Sequence, residues 1–192
     1  MSLSLEQLMA VARYYWPTPD ARAQDSSLEH TPEALRLHEL WEQKLKEMDR
    51  WWAVLDDLRN KLSGFTIGDT TVPLDACFRC VAYPSGFKSA SAPYWGIVGC
   101  LSIVAPIYTV YGAQFERHEG RRVFKRLDFE PHRAETKTPA ELMARGFEAE
   151  FGFSLLSAEH ARVQVPLSVQ EKNPPETLLF HALFTNEPEN LP

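Results

Sequence analysis

Cysteine, glycine and unbroken apolar runs are all scarce in this chain of 192 residues. Three cysteines, Cys77, Cys80 and Cys100, are odd in number and too sparse for the disulfide framework of a small secreted domain. Nine glycines and fourteen prolines, dispersed along the chain, exclude collagen-like and low-complexity sequence. The longest apolar stretch, Trp95 to Val110, is punctuated by Gly96, Gly99, Ser102, Pro106 and Thr109 and is too broken for a membrane helix. The opening residues place Glu6, Gln7 and Arg13 inside the apolar pattern, where a signal peptide needs an uninterrupted core. The expectation is a cytoplasmic protein with reduced thiols and no membrane partner.

Apolar residues make up 44% and charged residues 24%, the proportions of one globular domain. Twenty Lys and Arg face 26 Asp and Glu, a formal charge of −6, which disfavours nucleic acid as a partner of the whole surface. The charge is uneven. Residues 1–63 carry a net −3, residues 64–126 a net +3 and residues 127–192 a net −6.

Motifs that carry chemistry are missing too. Cys77-Phe-Arg-Cys80 has CxxC spacing, but only Cys100 remains to complete a zinc site. The pair also falls in a strand pattern, where positions three apart point to opposite faces. No two of the six histidines share the i,i+4 spacing of a helical metal site, and Glu42 stands where His38 would need its partner. Nucleophile elbows and phosphate loops are absent. The reading therefore has no catalytic residue, no metal and no cofactor. Two alternatives stay open: a hydrolase that pairs a cysteine with a distant histidine or uses a carboxylate, and a structural subunit.

What is present is strong patterning. Leu5 to Trp16 reads as a helix, with Ser4 and Gln7 as a capping box and Pro17 and Pro19 ending it. Residues 17–30 read as a polar loop. Thr31 and Pro32 then open the longest helix, in which Leu37, Leu40, Trp41, Leu45, Met48, Trp51, Trp52, Leu55, Leu58 and Leu62 fill one sector. Its thirty residues would span about 45 Å and need something long to lie against: a sheet, the first helix or a second subunit, as in a homodimer. Glu42–Lys46 and Asp57–Lys61 are i,i+4 pairs in the favourable order.

The period changes from 3.6 to 2 after Gly64. Leu74–Tyr83 alternates as a half-buried strand. PSGFKSASAP (84–93) is a loop of small residues. Trp95–Val104 and Ile107–Phe115 are apolar on both alternating sets, as in strands covered on both faces. Gly120 turns the chain into the strand RRVFKRLDFE. Thr138 and Glu141 form a capping box for a helix from Pro139 to Phe151, closed by Gly152. Val163–Val169 alternates cleanly, with Pro166 marking an edge or bulge, and Leu178–Thr185 reads as a last strand. The expected fold is a single α+β domain over residues 1–192. Its mostly antiparallel sheet of about five to six strands packs with a long N-terminal helix and two shorter helices. Residues 1–63 are helical, 64–130 are strands, 138–152 a helix, 161–186 strands, and 187–192 a tail.

Two surface features stand out. Arg117, Arg121, Arg122, Lys125 and Arg126 cluster on the predicted hairpin, where charge protects a strand edge. Acidic side chains collect in the last third, and aromatic residues gather near the helices and the 84–93 loop. The candidate partner-binding set is Asp128, Glu130, Glu135, Glu148, Glu150, Tyr94 and Trp95.

The Trp-rich helix HELWEQKLKEMDRWWAVLDDL, the sheet segment APIYTVYGAQFE and the missing catalytic motif together resemble the small acidic immunity proteins of bacterial polymorphic-toxin systems, including those of myxobacteria. That resemblance implies a cytoplasmic protein that neutralises a cognate protein toxin by occlusion.

Overall fold

The structure, a computed structural model, describes residues 3–24, 31–87, 93–119, 121–130 and 134–192. The turn at Gly120, residues 88–92 of the predicted loop and residues 25–30 lie outside the described residues, as do His30 and His132. The chain is α+β. Strands β1 (Phe65–Asp69), β2 (Cys77–Pro84), β3 (Tyr94–Ser102), β4 (Ile107–His118) and β5 (Arg121–Asp128) form an antiparallel meander in sequence order. A short β6 (Ser154–Leu155) adds in parallel to the start of β4.

Helix α1 (Leu5–Tyr15) has the expected capping box of Ser4 and Gln7. Part of the predicted polar loop is helical instead: Pro19 begins α2 (Pro19–Gln24), because proline suits a first helical turn as well as it ends one. The thirty-residue helix is not continuous. It is α3 (Pro32–Lys44), a 3-10 turn at Leu45–Glu47, and α4 (Met48–Lys61). The break has a packing cause. Trp41 and Trp51 both pack on Phe78, with ring centroids 5.3 and 5.5 Å away. On a straight helix these two tryptophans would point about 80° apart. The tighter turn re-aims α4, so Val54 becomes buried and Trp52, which a straight helix would place beside Trp41, faces solvent. It also separates Glu42 from Lys46: Glu42 lies 3.6 Å from His38 instead, while Lys61–Asp57 closes at 2.7 Å as expected. Of the surfaces the apolar stripe could lie against, the sheet is one it uses: Leu37, Trp41, Trp51, Leu55 and Leu58 are buried, and Trp41 and Trp51 pack on Phe78 of β2.

Strands β3 and the inner half of β4 are covered on both faces, as their composition implies. So is β2, which alternation had marked as half-buried, and which starts at Cys77 rather than Leu74. On one face, Phe78, Gly99 and Tyr108 meet α4 and α5 (Ala134–Phe151) through Trp51 and Phe147, whose rings stack at 5.9 Å. Helix α5 starts four residues before the predicted cap, Thr138, and carries Pro139 within it; Gly152, at φ +69°, closes it.

The second face is covered by residues 163–192, and here two predicted strands are corrected. Val165, Leu167 and Val169 are buried on one side as their alternation demands. Yet Pro166 has no N–H for a ladder, and the segment makes only isolated bridges, Gln164 with Leu178 and Val169 with Lys172. Leu178–Thr185 holds the short helix α7 (Leu179–Leu183), buried all round; a short apolar run of this kind has no period that separates strand from buried helix. A one-turn α6 (Ala158–Ala161) precedes it. Among the described residues no helix is long and apolar enough to cross a membrane.

Candidate functional site

The titratable groups of the interior are used by the fold. Arg79, between the two cysteines of β2, points into the second face and lies 3.8 Å from Asp75. Its guanidinium donates to the Thr70 carbonyl at 3.2 Å, to Thr185 Oγ1 at 3.3 Å and to the Glu187 carbonyl at 3.2 Å. Gln170 donates to the Leu74 carbonyl at 2.6 Å and lies 3.5 Å from Asp75 Oδ1. Burial raises the Asp75 carboxyl above its ordinary range and outweighs the lowering by Arg79. The pair therefore pins the C-terminal segment to the sheet.

The three thiols are fully buried and free. Cys77 and Cys80 point to opposite faces. Burial raises both thiols, and the hydrogen-bond partner of Cys77 is Cys100, not a histidine. His181 is held as a cap: its Nδ1 accepts from the Leu178 N–H at 3.0 Å, and burial lowers its pKa to about 4. Among the described residues no three His, Cys, Asp or Glu side chains converge as metal ligands would.

The predicted partner-binding residues divide. Tyr94 and Trp95 are 7% and 5% exposed; they begin β3 and face inward, so neither is a surface anchor. Their neighbourhood in sequence suggested a loop, but the register with Phe115 and Gln114 of β4 draws both into the sheet. Glu130 and Glu135 are exposed, and Asp128 caps a turn by accepting from the Glu130 N–H. Glu148 accepts from the Tyr108 hydroxyl, and Glu150 bridges Arg50 at 3.0 Å. Glu135 and Glu150 stand about 22 Å apart along α5, so the acidic set is a spread along a helix rather than one cluster.

Among the described residues Tyr14, Trp52 and Phe124 are exposed aromatic side chains; Arg36 lies over the Tyr14 ring, and Trp52 is 51% exposed beside the fully buried Trp51. Leu45, also 51% exposed, sits in the 3-10 turn that precedes α4. Asp49 and Asp56, three and four positions from Trp52, share its face. Beside them, Ala53, Asp57 and Lys61 of α4 and Arg145, Gly146 and Glu150 of α5 line an open trough of about 440 Å³. Helices α3, α4 and α5 with the turn between carry eleven carboxylates against eight Lys and Arg. One cue to Trp52 was in the sequence: two adjacent tryptophans differ by about 100° on a helix, so one sits at the margin of any buried face. The rim is of mixed charge: Asp56 pairs with Arg59 at 2.6 Å, Asp57 with Lys61 at 2.7 Å and Glu150 with Arg50 at 3.0 Å, with a small acidic excess over the layer.

Comparison with known proteins leaves this geometry to speak alone: no family model, no curated protein and no solved structure matches the chain.

Proposed function

We propose that this protein is a non-catalytic binding module that acts in the cytoplasm as an immunity protein, covering a cognate bacterial toxin. The observation that carries this reading is the half-exposed Trp52, a large aromatic side chain on the solvent face of α4. A large aromatic side chain on a solvent face contributes little to folding, yet it is the residue type that most often dominates binding energy at an interface. The acidic excess of the helical layer, eleven carboxylates against eight Lys and Arg, favours a basic partner, such as a nuclease toxin, and would speed its capture. The exposed Glu135 adds to the acidic charge at the start of α5. The test is co-expression with the toxin gene encoded beside this one. Rescue of growth and a co-purifying complex support the reading; a toxin that kills at an unchanged rate and fails to co-purify overturns it.

A further inference from the structure

Strand β5 closes one side of the sheet, and its outer edge pairs with no described residue. Along such an edge every second residue turns its N–H and C=O outward. The edge is eight residues long, about 27 Å at the rise of a strand, against five residues in β1 on the other side. Apolar side chains are exposed on both of its faces: Val123 and Phe124 are 38% and 37% exposed and, as neighbours in a strand, point opposite ways. Phe124 stands opposite Phe115 with ring centroids 6.0 Å apart, and Val123 stands opposite Glu116.

The charge on this edge differs from that of the helical layer. Every Lys and Arg of α3 and α4 faces a carboxylate within 3.1 Å. Strand β5 instead holds Arg121, Arg122, Lys125 and Arg126 against one carboxylate, Asp128. Two of these cations are engaged by the chain itself: Lys125 pairs with Glu116 at 2.5 Å, and Arg122 donates to the backbone of residues 191 and 192. Arg121 and Arg126 face no Asp or Glu among the described residues. Arg126 is held in place, 5.3 Å over the Trp95 ring and donating from Nε to Gln114 Oε1 at 3.0 Å. Arg121 and Arg126 stand opposite His118 and Gln114, which alternate along β4 with Phe115, so one face of the edge is basic and the other carries Phe124.

We propose that the outer edge of β5 takes an extended segment of a partner protein as a further strand, one that alternates carboxylates, set against Arg121 and Arg126, with apolar side chains, set against Phe124. Main-chain hydrogen bonds along the edge supply the attachment, and the alternation supplies the selectivity. The charge of the edge chooses the occupant. A second copy would bring the same four cations alongside and is repelled. Phosphates would answer the arginines but leave the row of backbone groups and Phe124 without partners. The edge belongs to a different element from Trp52 and stands independently of the immunity reading.

The test is fluorescence anisotropy with a labelled peptide, EVEVEVE, titrated into the full chain beside EVEPEVE, which has the same charge but whose proline removes a ladder N–H. The first is expected to bind about tenfold or more tighter than the second. Equal binding means that charge alone attracts and overturns the proposal, as does no binding by either. Arg121→Gln combined with Arg126→Gln is expected to weaken EVEVEVE about tenfold; an unchanged affinity overturns the pairing of these arginines with carboxylates. Should that variant not fold, hydrogen exchange of wild type decides: EVEVEVE slows exchange at residues 121–128, and unchanged exchange overturns the added strand. A DNA duplex that displaces the peptide assigns the edge to nucleic acid, and a wild-type dimer that the peptide dissociates assigns it to a second copy; either result overturns the partner assignment.

Discussion

Asp75 and Arg79 lie 3.8 Å apart inside the protein, with 6% and 5% of their side chains exposed, and between them they hold strand β2, the 70–75 loop and residues 185–187 together. Removing one member strands the other charge in a dry interior. Asp75→Ala and Arg79→Met are each expected to destabilise by about 3–5 kcal/mol, whereas the double variant loses clearly less than the sum. Urea unfolding of the four proteins measures this; additive losses would show that the two groups do not act as a pair.

His181 sets an acid limit. Burial, with Lys172 adding to it, lowers its folded pKa from 6.5 to about 4, so the unfolded chain binds the proton first as pH falls. Stability is full above pH 6.5 and declines between there and about 4, by roughly 3 kcal/mol in all. Asp75 has the opposite sign: its carboxyl is raised, so its contribution is present below its ordinary pKa and fades as pH rises through the folded value. His181→Gln keeps an acceptor for the Leu178 N–H and removes the titration. Urea midpoints of this variant are expected to flatten across pH 4–6.5, and an unchanged slope would assign the acid loss to other groups.

Gly99 lies beneath the α5 contact. A Cβ there would stand 2.7 Å from Phe147 Cζ and 3.2 Å from Met143 Sδ. A ring stacked against Trp51 cannot swing aside cheaply. Gly99→Ala is expected to cost about 1–3 kcal/mol through overpacking, despite the gain in strand propensity. A thermal melt at or above the wild-type midpoint would contradict the close approach.

Tyr94 carries a buried hydroxyl without a partner. Tyr94→Phe is expected to raise stability by about 1 kcal/mol, since an unsatisfied buried donor is removed while the ring contacts stay. A loss of similar size would mean that the hydroxyl is hydrogen-bonded.

Much of the architecture was legible in the chain. Periodicity located α1, α3 and the two-sided strands, because a single rule of burial governs each of them. Three features were not legible, for physical reasons. The break at Leu45–Glu47 arises because Trp41 and Trp51 share Phe78, a residue from another element. The second face is covered by a segment whose alternation is genuine but whose Pro166 denies it a ladder. Tyr94 and Trp95 stand in the partner-binding set because they adjoin the 84–93 loop of small residues, although Trp95 also opens a strand read as covered on both faces; strand register buries both. Trp52, the residue on which the functional reading rests, appeared only as one member of an apolar sector. Its exposure follows from the same break in the helix.

The adjacent tryptophans offer the most direct test. Trp51→Ala removes a fully buried ring and should destabilise by about 3–5 kcal/mol. Trp52→Ala should leave stability within about 0.5 kcal/mol of wild type. The decisive measurement, if a cognate toxin forms a complex with this protein in the co-expression test, is the affinity of Trp52→Ala for it, by calorimetry at matched folding. A loss of about thirtyfold or more, with an unchanged melting temperature, is the expected result; affinity equal to wild type would contradict the assignment of the α4 face as the docking surface.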